Sequence, residues 1–535
     1  MTLFKFWLFC RGKFPCPSPY NHYQKYHLSP TIKLSLNNIL FCMKTLNQIL
    51  RYLNKNDLSS LDQTIYHVSL DSRSQDKNGL FIAYQGINNN GNHYIDSAIQ
   101  NGAIAVLTDN INIRQPKKSS TPILYTPNLK QKIAQLANWF YDYPSQKIQV
   151  TAVTGTNGKT SVCHLYAQLA TLLGEKTATL GTIGNGIWPK LDTSTHTTPD
   201  PVSLQHIFQN LIQQDAQQVV IEASSHALEQ GRLQALSIDT AIWTNLTHDH
   251  LDYHQTMEDY FQAKAKLFEF DTLRSMVVNI DDPYAKRLLD HLHNHTNANL
   301  LTYSLNSPKA DLYFSESQAT EKGYQTQVHY SGHVYSLYSP LMGQFNLYNL
   351  AATMLALIAN GVDIGKIIPL IPHLKPAIGR MQQLNHQHFA TVVIDYAHTP
   401  NALENALLTA KAHVKNIKNK LWCIFGCGGD RDTSKRAKMA AIAEHLADNV
   451  IITEDNNRTE SFEQILKDIQ SGLQLHKHTI IDDRTQAIYF AIDQAQADDL
   501  ILLCGKGHER YMDKNGKKTN YNEEQIIQSY WSQKA

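Results

Sequence analysis

Long hydrophobic runs are missing from this chain. No stretch of about 18 or more apolar residues occurs, which excludes a membrane-spanning helix. Net charge is nearly absent as well: 48 Lys and Arg stand against 47 Asp and Glu, with no long block of either sign. That balance speaks against a nucleic-acid groove or a charged membrane surface as partner. Cysteine is scarce, seven residues with no paired spacing, as expected of reduced thiols in a cytoplasmic protein rather than of a disulfide framework. What remains, 42% apolar and 18% charged over 535 residues, is the composition of a globular protein of about three domains.

Residues 1–42 differ from the rest. They are rich in Tyr, Phe, Pro and Cys and show no clear period, and their apolar stretch is short, interrupted by Lys5 and without a small-residue cleavage site. Met43 then opens MKTLNQILRYL, whose apolar spacing predicts an amphipathic helix. We therefore expect Met43 to be the natural start and 1–42 to be disordered or an artefact of start assignment. Residues 43–146 read as a small α/β domain, with strands near 66–70, 80–83 and 103–108 and a helix at 95–101.

The most informative stretch is VTAVTGTNGKTSVC at 150–163. A short apolar strand ends in Gly155-Thr156-Asn157-Gly158-Lys159-Thr160, and a helical pattern follows from Ser161. Such a turn can wrap its N–H groups round a phosphate at the positive end of a helix. Lys159 would reach the outer phosphates of ATP and Thr160 would bind Mg²⁺. The common spacing has a glycine six positions before the lysine, where this chain has Val153.

Within the central region, 147–377, a strand at 219–221 ends in Glu222, a carboxylate at a strand tip and a candidate Mg²⁺ ligand. The strand at 240–243 leads into THDHLDYH, in which three histidines and two aspartates fall within seven residues. Zinc is disfavoured there, because no cysteine is near and the spacing fits no zinc pattern; Mg²⁺ with one imidazole ligand fits an ATP site better. The helix predicted at 257–268 carries Lys264 on a mostly apolar face, where a lysine ordinarily snorkels to solvent.

Residues 378–535 repeat strand and helix, with strands at 391–394, 421–425, 449–453 and 499–503, which predicts a parallel sheet. Each strand ends in polar or glycine residues: DYAHTP, GCGGDRD, DNNR and GKGHE. Four such loops at one sheet edge make a binding crevice. Arg431 and Arg458 against Asp455 and Glu509 suit a ligand with both carboxylate and ammonium groups.

Together GTNGKT, EASSHALEQGR, TNLTHDHLDYH with AKAKLF, GQFNLYN, DYAHTP and FGCGGDRD resemble the Mur ligases, and most nearly the members that add diaminopimelate. The resemblance runs from about Met43 to near the C-terminus. It implies an α/β protein of three domains: a small N-terminal UDP-binding domain, a central P-loop ATPase-like domain with a mostly parallel sheet, and a Rossmann-like C-terminal domain that binds the amino acid. It places the uridine nucleotide against Leu70, Ser72, Ile87, Asn88 and Asn89, and the sugar-peptide portion against Thr197, Thr198, Ser224, Gln230 and Arg232. ATP would be held by residues 155–161, including Ser161, with Asn346, Asn349 and Arg380. Mg²⁺ would be held by Thr160, Glu222, His250 and Lys264, the last as a carbamate. Diaminopimelate would meet Arg431, Asp455, Asn456, Asn457, Arg458, Gly505 and Glu509. In the family's DNPR motif proline stands where this chain has Asn457, which removes some rigidity but keeps both charged members.

The implied reaction joins meso-diaminopimelate to the D-glutamate of UDP-N-acetylmuramoyl-L-alanyl-D-glutamate through an acyl phosphate, with ADP and phosphate released, in peptidoglycan precursor synthesis. Lys159 would offset phosphoryl charge, and His398 or Asp395 would handle protons or orient the γ-phosphate. The family suggests a monomer. The same chemistry with L-lysine is the nearest alternative, although lysine lacks the distal carboxylate that Arg458 can grip. A folylpolyglutamate synthase does not account for the nucleotide-binding domain and the DNNR loop. A P-loop ATPase without ligase activity leaves the C-terminal loops unexplained, and a non-catalytic UDP-sugar-binding protein leaves the ATP motif unexplained.

Overall fold

A computed structural model describes residues 43–58, 62–74, 77–86, 89–113, 120–194, 196–292, 297–414, 416, 418–475 and 478–534, except for the side chain of Asp252. The extension 1–42 and the site candidates Ile87 and Asn88 lie outside the described residues. The chain divides into two units, Met1–His67 and Val68–Ala535.

In the first unit the helix expected from Met43 starts later, at Leu46–Tyr52, because Lys44–Thr45 pair as a strand with Thr64–Ile65. Thr45 caps the helix: its hydroxyl accepts from the Gln48 N–H while the Gln48 side chain accepts from the Thr45 N–H, a reciprocal capping box.

The second unit opens with a small parallel ladder of Gly79–Ala83, Ala103–Thr108 and Ile123–Tyr125. A ten-stranded sheet follows. Its middle strands, Asn299–Ser304, Ser275–Asn279, Thr240–Trp243, Gln149–Thr154, Gln218–Glu222 and Thr177–Gly181, run parallel in that order. Both faces are covered, and alternation decides which face each side chain joins. Val150, Ala152, Val219, Ile221 and Trp243 enter the core under Pro201–Gln213 and Met257–Ala265. Val153, Val220 and Ile242 enter the core under Lys159–Leu172 and Gln344–Ala359. One edge closes with Gly184–Ile187; the other extends through the antiparallel strands Leu312–Thr320, Gly323–Tyr330 and His333–Ser339, for which the sequence analysis assigned no elements.

The last sheet has six strands in the order Gln382–Leu384, Thr391–Asp395, Leu500–Cys504, Leu421–Phe425, Asn449–Ile452 and His478–Ile480, all parallel but the first. The expected α/β class with mostly parallel sheets is thus what the chain adopts. In both large sheets the motif-bearing loops leave the carboxyl ends of the strands, where open parallel sheets bind ligands.

Trp243 links core to loop. Fully buried, its indole N–H donates to Asp282 Oδ2 at 2.8 Å, and Asp282 Oδ1 accepts from the Leu246 N–H at 3.0 Å. Trp243→Ala is expected to lower stability by about 3–5 kcal/mol, as for other large-to-small core changes, measured as a shift of the urea unfolding midpoint.

Candidate active site

The phosphate loop is cradled by the next strand tip. Thr156 N–H donates to the Asn245 carbonyl at 2.8 Å, and Asn157 N–H to Asn245 Oδ1 at 2.9 Å. Glycine is required at two positions. At Gly155 (φ +149°) an added Cβ would lie 1.9 Å from Thr244 Oγ1, and at Gly158 (φ +89°) it would lie 2.5 Å from Asn349 Oδ1. Asn349 in turn donates to Asn346 Oδ1 at 3.0 Å, so both asparagines stand on one helix against the loop. Lys159 and Thr160 open the helix Lys159–Leu172, and Ser161 is buried in its first turn.

Two lysines converge on one carbonyl. Lys159 Nζ donates to Gly155 O at 2.8 Å and Thr156 O at 2.9 Å, and Lys264 Nζ donates to Gly155 O at 2.8 Å. Lys264 does not snorkel as its helix position led us to expect; its side chain is buried at 1% exposure, with the ammonium 4.5 Å from the Tyr260 ring centroid. Burial, reinforced by the charge of Lys159, drives its pKa well below the ordinary lysine value.

Glu222 is the meeting point. Its Oε2 accepts from Thr160 Oγ1 at 2.9 Å and its Oε1 from Thr182 N–H at 2.7 Å, while its backbone carbonyl accepts from Thr198 Oγ1 at 2.6 Å. Burial raises its pKa, opposed by the charge of Lys159. Thr198 Oγ1 also lies 3.2 Å from Ser224 Oγ, and Arg232 reaches Thr198 O at 2.7 Å and Gln230 Oε1 at 2.7 Å. Thr197 receives the Thr182 hydroxyl at 3.2 Å. The five residues expected to hold the sugar-peptide are therefore linked to Glu222 through Thr182 and through Thr198 on its backbone carbonyl. A small pocket opens beside them, lined by Thr160, Cys163, Gly181, Trp188 and Glu222 among others.

His250 stands apart from this cluster. It is exposed, has φ +52°, and sets its ring edge-on to His226 at 5.1 Å and to Tyr260 at 6.0 Å. His254 is buried with Nε2 2.9 Å from Ser225 Oγ, so it is packed into the helix neighbourhood and not held for a metal. Among the described residues no group of three or more His, Cys, Asp or Glu side chains is arranged to hold a metal ion. The donor set round Glu222 suits Mg²⁺ rather than zinc: a hydroxyl and a carboxylate are hard oxygen ligands, and a buried lysine of depressed pKa can take up CO₂ as a carbamate. Toward the N-terminal sheet, Ser72 is buried, Leu70 half-buried and Asn89 exposed at the turn closed by its carbonyl and the Gly86 N–H.

In the C-terminal sheet, Asp395 uses both carboxylate oxygens on backbone N–H groups, Met381 at 2.8 Å and Ala397 at 2.9 Å, so it braces the loop. His398 Nδ1 lies 2.8 Å from Tyr396 O. Arg380 sits 5.2 Å over the Tyr396 ring, which His508 also flanks at 4.8 Å. At the DNNR loop, Arg458 has φ +52°, donates through Nη1 to Gly429 O at 2.6 Å, and is held by its own N–H on Asp513 O at 2.9 Å. Asn456 Nδ2 donates to Glu509 Oε2 at 2.7 Å. Asn457 is buried, its Nδ2 3.4 Å from Glu454 Oε2. Gly505 (φ +116°) is packed so close that a Cβ would lie 2.4 Å from Asp455 Oδ2, and Arg431 is exposed on the facing loop. Asp455, Asn456, Arg458, Gly505 and Glu509 are thus brought together.

Sequence reasoning missed two residues here. Lys506, fully buried, donates to Asp455, Asn456 and the Tyr511 carbonyl. Arg484, also fully buried, bridges Glu523 and the Cys504 carbonyl, each at 2.7 Å. Lys506 carried a signal, a lysine between two glycines at an apolar strand's end; Arg484 carried none, being a lone charge in a helix outside every motif.

Three family models match the chain: Mur ligase family, catalytic domain, over residues 64–141; Mur ligase middle domain over 153–357; and Mur ligase, glutamate ligase domain over 379–507. The UDP-N-acetylmuramoyl-L-alanyl-D-glutamate–2,6-diaminopimelate ligase of Pseudomonas aeruginosa is 42% identical over 459 residues, covering 85% of this chain and 92% of that protein. The protein of the same name from Haemophilus influenzae is 39% identical over 487 residues, covering 88% and 96%. A solved structure of a ligase of that name superposes with a TM-score of 0.68 at 36% identity, over 92% of this chain and 99% of the other. With the phosphate loop, the Glu222 cluster and the C-terminal crevice in the order these models describe, the chain belongs to the Mur ligase family.

Proposed function

We propose that this protein is an ATP-dependent ligase that adds meso-diaminopimelate to the D-glutamyl γ-carboxylate of UDP-N-acetylmuramoyl-L-alanyl-D-glutamate in peptidoglycan precursor synthesis. The observation that carries the reading is the double use of Glu222, whose carboxylate touches the phosphate loop through Thr160 and whose carbonyl holds Thr198 of the acceptor cluster. A phosphoryl donor and a carboxylate acceptor bound to these two sets of residues are adjacent.

Three regions divide the work in this reading: 43–146 takes the uridine nucleotide through Leu70, Ser72 and residues 87–89, 147–377 takes ATP and the dipeptide, and 378–535 takes the amino acid. The γ-carboxylate attacks the γ-phosphorus of ATP, the bond to the β,γ-bridging oxygen breaks, and ADP leaves. Lys159 moves from the loop carbonyls to the outer phosphates and offsets their charge. Asn346, Asn349 and Arg380 orient the nucleotide. Thr160, Glu222 and Lys264 as its carbamate would hold Mg²⁺, which when bound neutralises charge on the transferring group, while His250 stands outside this set. The uncharged amine of diaminopimelate then attacks the acyl carbon, and phosphate leaves from the tetrahedral intermediate. His398 takes the amine proton in this scheme, Asp395 keeping its loop in place. Arg458 and Arg431 face the carboxylates of diaminopimelate, and Asp455 and Glu509 its distal ammonium, with Asn456 holding Glu509 in place. Exclusion of water protects the acyl phosphate. ATP and nucleotide-linked sugar substrates fit a cytoplasmic location, the family suggests a monomer, and no helix among the described residues is long and apolar enough to cross a membrane.

Phosphate release with ATP, Mg²⁺, the UDP-muramoyl dipeptide and either amino acid tests the reading directly. Release is expected with diaminopimelate and not with lysine; release with lysine alone would overturn the specificity. Arg458→Ala is expected to raise the KM for diaminopimelate by about 100-fold, the scale of a lost charged hydrogen-bond pair, with the KM for ATP unchanged. Lys264→Ala is expected to lower kcat by more than about 100-fold while ADP binding by calorimetry persists.

A further inference from the structure

We propose that Lys506 is the positioning residue of the amino-acid site, holding Asp455, Asn456 and Glu509 in one binding arrangement. The inference rests on the functional reading above.

Its side chain is fully buried. An ammonium has three N–H donors, and Lys506 Nζ has three acceptors within hydrogen-bond reach: Asn456 Oδ1 at 2.9 Å, the Tyr511 carbonyl at 2.9 Å and Asp455 Oδ1 at 3.3 Å. Glu509 Oε2 is 3.9 Å away. A buried cation is tolerated only where its surroundings are built to satisfy it. Two of these acceptors are side chains of the DNNR loop, not the backbone of a scaffold. Asn456 Oδ1 accepts in addition from the Asp513 N–H at 2.9 Å, which fixes the amide so that its Nδ2 faces Glu509. One ammonium therefore sets the orientation of the asparagine and, through it, of the glutamate.

Charge makes the same point. Asp455 and Glu509 lie within 4 Å of one Nζ, at 3.3 and 3.9 Å, and without it two carboxylates would face each other in a poorly solvated crevice. Burial would push the Asp455 carboxyl up, but Lys506 and Arg484 outweigh it and the net shift is downward. Two carboxylates and one lysine leave a single negative charge, which matches the distal ammonium of a diamino acid, while Arg458 faces its carboxylate.

Steady-state phosphate release with diaminopimelate and ATP varied separately tests this in Lys506→Met, Lys506→Gln and Lys506→Arg. In Lys506→Met the KM for diaminopimelate should rise about 10- to 100-fold, as for a lost buried charged hydrogen bond, with the KM for ATP unchanged. Lys506→Arg, which keeps the charge, should recover part of that loss. If Lys506→Met fails to fold in a thermal melt, Lys506→Gln, which keeps two N–H donors without the charge, should show a smaller rise confined to diaminopimelate. A folded Gln or Met variant with the wild-type KM for diaminopimelate, or with both KM values raised together, overturns the proposal. Wild-type release that depends on a different amino acid overturns the functional reading instead, and the same comparison is then made with that amino acid.

Discussion

The site depends on one buried carboxylate. Glu222 ends a strand whose neighbours on either side end in Thr154, before the phosphate loop, and in Gly181. With Oε1 on Thr182, Oε2 on Thr160 and its carbonyl on Thr198, it ties the phosphate loop's end to two further segments of the chain. The packing leaves it no slack: a Cβ on Gly181 would lie 2.2 Å from Oε1. Burial pushes the pKa of a carboxylate so placed upward, and the positive charge of Lys159 opposes that shift. Burial lowers the Lys159 pKa, but the charge of Glu222 opposes the shift; Lys264, driven well below the ordinary lysine value by burial and by Lys159, is suited to carbamate chemistry and would then add negative charge where Mg²⁺ is needed.

In the proposed reading the C-terminal crevice would meet the complementary problem, recognition of a polar amino acid carrying charges of both signs. Buried cations beneath the loop hold the acidic side, and Arg458 in a left-handed backbone conformation presents the basic side. The pair of strands Tyr511–Lys514 and Lys517–Asn520 backs this loop through the Arg458–Asp513 and Asn456–Asp513 hydrogen bonds. Asn457, where the related motif has proline, is anchored by burial and by Glu454, so the loop keeps its order by contacts in place of a ring.

Much of this was legible in the sequence where short-range signals carry it. The strand–glycine–helix pattern at 150–163, the strand tip at Glu222 and the four strand-end loops of the C-terminal region all follow from period and turn chemistry. The burial of Lys264 was not legible in the local pattern, because an amphipathic helix predicts a lysine in solvent and only its tertiary contact with the phosphate loop reverses that, although the resemblance had set it at the metal site. The helix start at Leu46 was missed because pairing of Lys44–Thr45 with Thr64–Ile65 overrode local propensity. The antiparallel strands between Leu312 and Ser339 were missed because their outer residues are polar and their apolar alternation is weak: Phe314 and Val328 are buried, but Ser315 to Ala319 are largely open. Arg484 and Lys506 gained meaning only when the fold set them under Asp455.

The central claim is that the phosphoryl donor and the dipeptide carboxylate meet at Glu222 and exchange an oxygen through an acyl phosphate. Dipeptide substrate labelled with heavy oxygen in the D-glutamyl γ-carboxylate, turned over with ATP and diaminopimelate, tests it by mass spectrometry of the released phosphate. The account predicts that each phosphate carries one labelled oxygen from the substrate. Phosphate released without label while the amide bond still forms would contradict it.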